Sequence, residues 1–340
     1  MGADMDARPT PSTPRTGDAE AATRPAGGAG AGRFAPSPTG ELHLGNLRTA
    51  LVAWLAARAT SRDFRLRIED LDRVSSSVEH ERRQLADLGA IGLDWDGDVV
   101  RQSERFDLYR AHIAQLERAG RVYRCYCTRR QIRQEIESAA SAPHGLPDGA
   151  YPGTCRELTE AERSEREAAG RRPALRLRTD GERIGFVDRA LGPVDGIVDD
   201  VVLARADGIP AYNLAVVVDD AHQAIDQVVR GDDLASSTPR QILLQRLLGF
   251  AQPQYLHVAL VLGADGQRLA KRHGAVTLSD LAAEGWSSSD VLAALARSLR
   301  LASTAEPSAS ITPQRLVDRF DPARLPPDAA TLADLQRCRT

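Results

Sequence analysis

The chain has 340 residues with 44 basic and 47 acidic side chains, a formal net charge of −3 at pH 7. That length suits one large domain or two modest ones, each with a substantial core. So even a balance excludes a globally basic nucleic-acid coat, and any RNA contact must come from local arginine patches; Lys271 is the only lysine among the basic residues.

Residues 1–31 contain no aromatic side chain and are rich in Ala, Gly, Pro, Ser and Thr. They cannot bury enough apolar surface to offset their ordering entropy, which predicts a disordered tail. No secretory apolar segment and no apolar run of membrane-spanning length occurs, so a cytoplasmic protein without membrane contact is expected. In that compartment the four cysteines are not expected to form disulfides.

Arg33-Phe34-Ala35 can form a short strand, which Pro36 and Pro38 end by removing two backbone donors and forcing an extended turn. Beyond Gly45, Leu47, Ala50, Leu51, Trp54 and Leu55 recur at helical spacing and predict a helix with one buried face. A glycine-bearing turn before a helix N-terminus is a plausible phosphate seat, with His43 and Asn46 as donors at its entrance. The plainer alternative is that His43 caps the turn.

Phe64 to Ile68 alternates like a half-buried strand and ends in Glu69-Asp70, with Asp72 two residues on. Ligands of open α/β sheets bind at strand carboxyl ends, so Glu69 is a candidate to receive a cationic group; the alternative is pairing of Glu69 and Asp72 with Arg67 and Arg73. Ser103 to Gly120 reads as a helix, serine-capped and glycine-terminated. Residues 121–200 change character and suggest an insertion between two halves of a sheet, with a short strand over Ala174 to Arg178. Ala211 to Asp220 is mostly apolar, Gln227 to Gly231 is a strand carrying Arg230, Thr238-Pro239 opens a helix that Gly249 closes, and Tyr255 to Leu262 is a further strand. Strands alternating with helices around an insertion predict an α/β, doubly wound parallel sheet.

Cys125, Cys127 and Cys155 offer three thiolates within a short span. Zinc takes four tetrahedral ligands, usually sulfur and nitrogen, so His144 is the conventional fourth candidate and Tyr151 an unconventional one. No open coordination position or general base lies nearby, so a metal here would be structural. Arg268 to Gly274 is too polar for a core element, and Lys271 in a mobile loop there could act as a flexible point charge on a phosphoryl group.

Together these residues resemble a class I aminoacyl-tRNA synthetase of the glutamate type. His43-Leu44-Gly45-Asn46 is similar to the HIGH signature and Arg268-Leu269-Ala270-Lys271-Arg272 to KMSKS, with Asn46, Arg268 and Ala270 departing from the usual residues. Arg33 to Gly40, Arg67-Ile68-Glu69-Asp70, Tyr212-Asn213 and Arg230-Gly231 resemble the glutamate-specific motifs. Cys125, Cys127, Tyr151 and Cys155 resemble the zinc pattern of a truncated branch of the family, which glutamylates the queuosine base of an anticodon and lacks an anticodon-binding domain.

The resemblance implies a Rossmann-like class I catalytic domain with an inserted zinc-binding subdomain and a helical C-terminal region. Its divisions are the tail (1–31), a first catalytic half (32–107), an acceptor-binding and zinc insertion (108–200), a second half (201–262) and a KMSKS-like loop with a helical stem-contact remnant (263–340). By resemblance Glu69 meets the ammonium of L-glutamate, Arg33, Tyr212 and Arg230 hold its carboxylates, and Ala35 and Ser37 line the amino acid. Pro36, His43, Gly45, Asn46, Arg268 and Lys271 would bind ATP with Mg²⁺, with His43 and Lys271 as the catalytic groups. Tyr151 becomes the fourth ligand of a structural Zn²⁺. The implied partner is queuosine-containing tRNA(Asp), and the enzyme is expected to act as a monomer. Charging of the 3′ end of tRNA(Glu), or an RNA-binding paralogue without catalysis, are the competing expectations.

Overall fold

Strand β1 (Ala31–Phe34) feeds the Pro36–Pro38 turn and then helix α1 (Leu44–Arg58), so strand, turn and helix follow in the expected order. The computed structural model describes residues 30–138, 151–267, 269 and 276–338. Its first strand already includes Ala31, which the sequence places in the tail. After α1 come β2 (Asp63–Ile68), α2 (Val78–Ala90), β3 (Val100–Arg101) and α3 (Phe106–Arg118). The helix expected from Ser103 starts three residues later, because Gln102–Glu104 forms a separate 3₁₀ turn. Ser103 instead donates its N–H (2.8 Å) and Oγ (2.5 Å) to the Asp70 carboxylate.

Residues 121–204 carry β4 (Val122–Cys125), α4 (Arg129–Ser138), α5 (Glu160–Ala168), β5 (Ala174–Leu177), β6 (Arg183–Asp188), β7 (Gly192–Ile197) and β8 (Val202–Ala204). The chain returns through α6 (Tyr212–His222), β9 (Ile225–Gly231), α7 (Thr238–Leu248) and β10 (Gln254–Val258). Thr238 and Pro239 open α7 and Gly249 closes it in the left-handed conformation at φ 77°, as the sequence suggests. The strand expected over 255–262 is two: β10 ends at Val258, and β11 (Val261–Leu262) pairs elsewhere. Helices α8 (Leu278–Ala283), α9 (Ser288–Ser298) and α10 (Pro313–Val317), strand β12 (Ala330–Thr331) and helix α11 (Leu332–Arg337) complete the chain, and β12 is the parallel partner of β11.

A seven-stranded sheet with order β3-β2-β1-β9-β10-β6-β7 forms the frame. All its neighbouring pairs are parallel except β6–β7. The expected α/β, doubly wound architecture is therefore present, with two strands of the inserted segment extending its edge. A separate antiparallel sheet, β4-β5-β8, has Cys125 at the end of β4.

Strand alternation sends Val229 and Leu256 to one face, against α1 and α9, and Val228 and Tyr255 to the other, against α3, α6 and α7. Helix α1 departs from the single buried stripe expected of it: Leu47, Arg48 and Ala50 through Ala57 are all buried. The sheet covers one side and α9 and α10 the other. Strand β2 likewise is not half-buried, because Arg67 sits wholly inside the protein. No helix among the described residues is long and apolar enough to cross a membrane.

Candidate active site and cysteine knuckle

A cavity of about 480 Å³ opens where β1, β2 and β9 end, beside the N-terminus of α1. It gathers Arg33, Ala35, Pro36 and Ser37 from the first strand and turn, and His43, Gly45 and Asn46 from the head of α1. Glu69, Tyr212 and Arg230 complete that group.

Both cavity arginines are nearly buried but are held differently. Arg33 donates Nη1 to the Val229 carbonyl (3.0 Å) and Nε to Asp220 (3.4 Å), so its charge has a carboxylate partner. Arg230 donates Nε to His257 Nε2 (3.1 Å) and Nη2 to Thr238 Oγ1 (2.8 Å), both neutral groups when the imidazole is unprotonated. Burial accordingly lowers its pKa, and its Nη1 is buried without a partner among the described residues. A buried guanidinium whose direct hydrogen-bond partners are neutral favours an incoming anion.

Glu69 begins just past β2, its carboxylate 3.3 Å from Arg67 Nη2. Thus the pairing with Arg67 exists, and Glu69 still faces the cavity. Burial pushes its pKa up, with Arg67 and Arg33 pulling the other way. Asp72 does not pair with Arg73: its carboxylate accepts from the Val74 N–H at 3.1 Å. The turn after β1 is fastened from outside, by Gln84 Nε2 donating to the carbonyls of Ser37 (3.0 Å) and Gly40 (2.6 Å) and by the Glu69 N–H on the Pro36 carbonyl (2.9 Å).

His43 is the N-cap of α1, accepting from the Asn46 N–H at Nδ1 (3.2 Å), while Asn46 Oδ1 accepts from the His43 N–H (3.2 Å). This reciprocal box is the capping alternative realised, and any phosphate contact by this ring falls to Nε2. A Cβ on Gly45 would stand 3.0 Å from the His43 ring, so glycine there keeps the helix head open. The Leu44 N–H donates to the Val276 carbonyl (2.8 Å) and Leu269 N–H to that of Val261 (3.1 Å). Leu269 and Val276, on either side of residues 270–275, are thereby anchored beside the cavity.

In the insertion, the Sγ atoms of Cys125, Cys127 and Cys155 lie within 4.8 Å of one another. The Tyr151 hydroxyl lies 3.3 Å from Cys125 Sγ and 3.5 Å from Cys127 Sγ, and accepts from the Cys155 N–H at 2.9 Å. Arg176 stacks on the Tyr151 ring, its Cζ 3.7 Å from the centroid. Tetrahedral Zn–S bonds separate sulfurs by about 3.8 Å, so the three thiols fit one zinc ion.

Residues 31–326 match the family described as tRNA synthetases class I (E and Q), catalytic domain. The chain belongs to the class I glutamyl and glutaminyl tRNA synthetases. It is 60% identical over 305 residues to a glutamyl-Q tRNA(Asp) synthetase of Nocardia farcinica, covering 90% of this chain and 94% of the relative. A glutamyl-Q tRNA(Asp) synthetase of Symbiobacterium thermophilum is 50% identical over 308 residues, covering 87% and 93%. Among solved structures, a glutamate tRNA ligase of Elizabethkingia meningosepticum in complex with its amino acid superposes with a TM-score of 0.75 at 26% identity, over 91% of this chain and 68% of that one.

Arg268, Lys271 and His144 of this class I synthetase lie outside the described residues. Sequence reasoning missed Gln84, which lines the cavity, and Thr238, His257 and Asp188, which reach it only through other residues. Gly231 gave a signal that went unused. A Cβ there would meet Asp233 Oδ1 at 2.5 Å and Leu260 Cδ2 at 2.9 Å, so glycine following Arg230 marks a close approach.

Proposed function

We propose that this synthetase activates L-glutamate with ATP and transfers the glutamyl group to the queuosine base of tRNA(Asp). The observation that carries the reading is the convergence of two buried arginines, a carboxylate and a phenol from β1, β9, β2 and α6 on one cavity. Its complement is a molecule with two carboxylates and one ammonium. Near-full-length similarity to glutamyl-Q tRNA(Asp) synthetases supports the acceptor.

Glu69 receives the substrate ammonium, Arg33, Tyr212 and Arg230 hold the carboxylates, and Ala35 and Ser37 flank the amino acid. ATP with Mg²⁺ lies along Pro36, His43, Gly45 and Asn46. The glutamate α-carboxylate attacks the α-phosphorus in line, and pyrophosphate leaves with the electrons of the broken P–O bond. No protein nucleophile is needed, so the chain acts by positioning and by charge. Arg268 and Lys271 would supply positive charge to the phosphates. In the second step an acceptor hydroxyl attacks the glutamyl carbonyl, an ester forms, AMP leaves, and the hydroxyl proton passes to solvent.

Cys125, Cys127, Tyr151 and Cys155 would hold one Zn²⁺, which would staple the β4-β5-β8 sheet and take no part in the chemistry. The test is glutamate-dependent ATP–pyrophosphate exchange without RNA, followed by transfer of labelled glutamate to tRNA(Asp) lacking its 3′-terminal adenosine. Glutamylation that survives the trimming and disappears without queuosine is the expected result. Transfer to tRNA(Glu) that trimming abolishes would overturn the acceptor assignment.

A further inference from the structure

We propose that Asp188 and His257 are positioning residues for Arg230, fixing the plane of a guanidinium that lines the amino-acid cavity. The inference rests on the reading of that cavity as a glutamate site, and adds to it two residues that never reach the substrate.

Asp188, His257 and Arg230 stand on three adjacent strands, β6, β10 and β9. Strand β10 is the shared neighbour, pairing His257 with Arg230 and Tyr255 with Asp188. Asp188 Oδ2 lies 2.7 Å from His257 Nδ1, and both side chains are fully buried. Burial alone would raise the Asp188 pKa, but His257 and the N–H groups of Ala190 (2.9 Å) and Leu191 (3.0 Å) hold it below the usual carboxylate range. An ionised carboxylate only accepts, so the ring proton resides on Nδ1. The neutral ring then presents a lone pair at Nε2, and Arg230 Nε, which can only donate, meets it at 3.1 Å. The opposite tautomer would set two N–H groups against each other.

The consequence lies in what remains of the guanidinium. Nε is held by His257 and Nη2 by Thr238, which leaves Nη1 buried with no partner among the described residues, on a side chain that lines the cavity. The Tyr255 ring lies nearly parallel to that of His257, 14° between planes, with the Arg230 Cζ 5.6 Å from its centroid. The guanidinium plane is thus fixed before substrate arrives, and a preorganised donor loses little on binding. Asp188 ends a strand of the inserted segment, so the amino-acid cavity depends on that segment for its geometry.

Two measurements test this. The first is independent of activity: long-range ¹⁵N–¹H correlation of the histidine rings in the full chain, with His257→Gln identifying its signal among the seven histidines. A neutral His257 ring protonated at Nδ1 is expected, and protonation at Nε2 overturns the proposal. The second compares two variants in ATP–pyrophosphate exchange. Gln at 257 can set its amide oxygen where Nε2 stood, whereas Asn keeps only the group facing Asp188. His257→Asn should raise the KM for glutamate about tenfold or more with the KM for ATP within about twofold, and His257→Gln should recover most of that loss. Equal KM values for glutamate in both variants, or equal losses for glutamate and ATP, overturn it. A wild-type enzyme without glutamate-dependent exchange would instead refute the functional reading, while the ring spectrum still decides the tautomer.

Discussion

Arg67 on β2 and Asp220 on α6 form a 2.7 Å ion pair behind the cavity, with Arg67 wholly buried. Asp220 also meets Arg33 (3.4 Å) and Arg67 also meets Glu69 (3.3 Å), so one buried pair steadies two groups proposed to hold glutamate. Removing Asp220 takes away the carboxylate that Arg33 meets and leaves Arg67 with Glu69 (3.3 Å) and the more distant Asp219 (3.8 Å); breaking a buried pair typically costs about 3–5 kcal/mol. Asp220→Ala should therefore lower the unfolding free energy in urea by about that amount. It should also raise the KM for glutamate more than that for ATP. Unchanged stability would mean that water or a neighbour replaces the carboxylate.

Glu69 should impose an acid limb on glutamate use at unusually high pH. Its folded pKa is raised by burial, so on acidification it loses the charge needed for an ammonium sooner than an exposed glutamate of pKa about 4.3 would. The profile of kcat/KM for glutamate reports this ionisation in the free enzyme. A limb inside the ordinary carboxylate range would refute the assignment, and Glu69→Gln should remove the limb along with most of the activity.

Metal analysis should find one zinc per chain. Cys155→Ser should lower zinc content and the thermal stability of the β4-β5-β8 sheet, and Tyr151→Phe should weaken retention against a chelator. His144→Ala should do neither. Zinc that survives Cys155→Ser and leaves with His144→Ala would exclude the proposed ligand set.

His112 on α3 and His222 on α6 place their Nε2 atoms 3.3 Å apart beside Phe250. Burial lowers both pKa values, and for His222 the neighbouring His112 adds to the effect. A histidine with a depressed folded pKa supports the fold above its unfolded pKa, and that support is lost as pH falls through the folded value. Melting temperature should fall as pH drops below about 6.5. His112→Gln should flatten that dependence, and a variant with wild-type slope would assign the loss to other groups.

What the sequence by itself determined lies close along the chain. Glu69 was legible because it sits where a strand pattern ends, the edge at which an open α/β sheet binds ligands, whereas Arg33 and Arg230 came from their resemblance to the glutamate-specific motifs. The helix after Gly45, the stop at Gly249 and the spacing of Cys125, Cys127 and Cys155 were equally local. Residue type, turn chemistry and a short periodicity sufficed for them.

Tertiary structure alone decided which long-range partners those residues meet. Arg67 read as the polar face of a half-buried strand, and only the arrival of Asp219 and Asp220 on α6 made its burial possible. Helix α1 read as one-sided because α9 and α10, which cover its far side, lie more than 200 residues away. Asp220 stands 187 residues from Arg33, and Asp188 stands 69 from His257. No periodicity spans such distances: a buried charge is tolerated only where the fold delivers its counter-charge, and that delivery depends on strand order and not on neighbours in sequence.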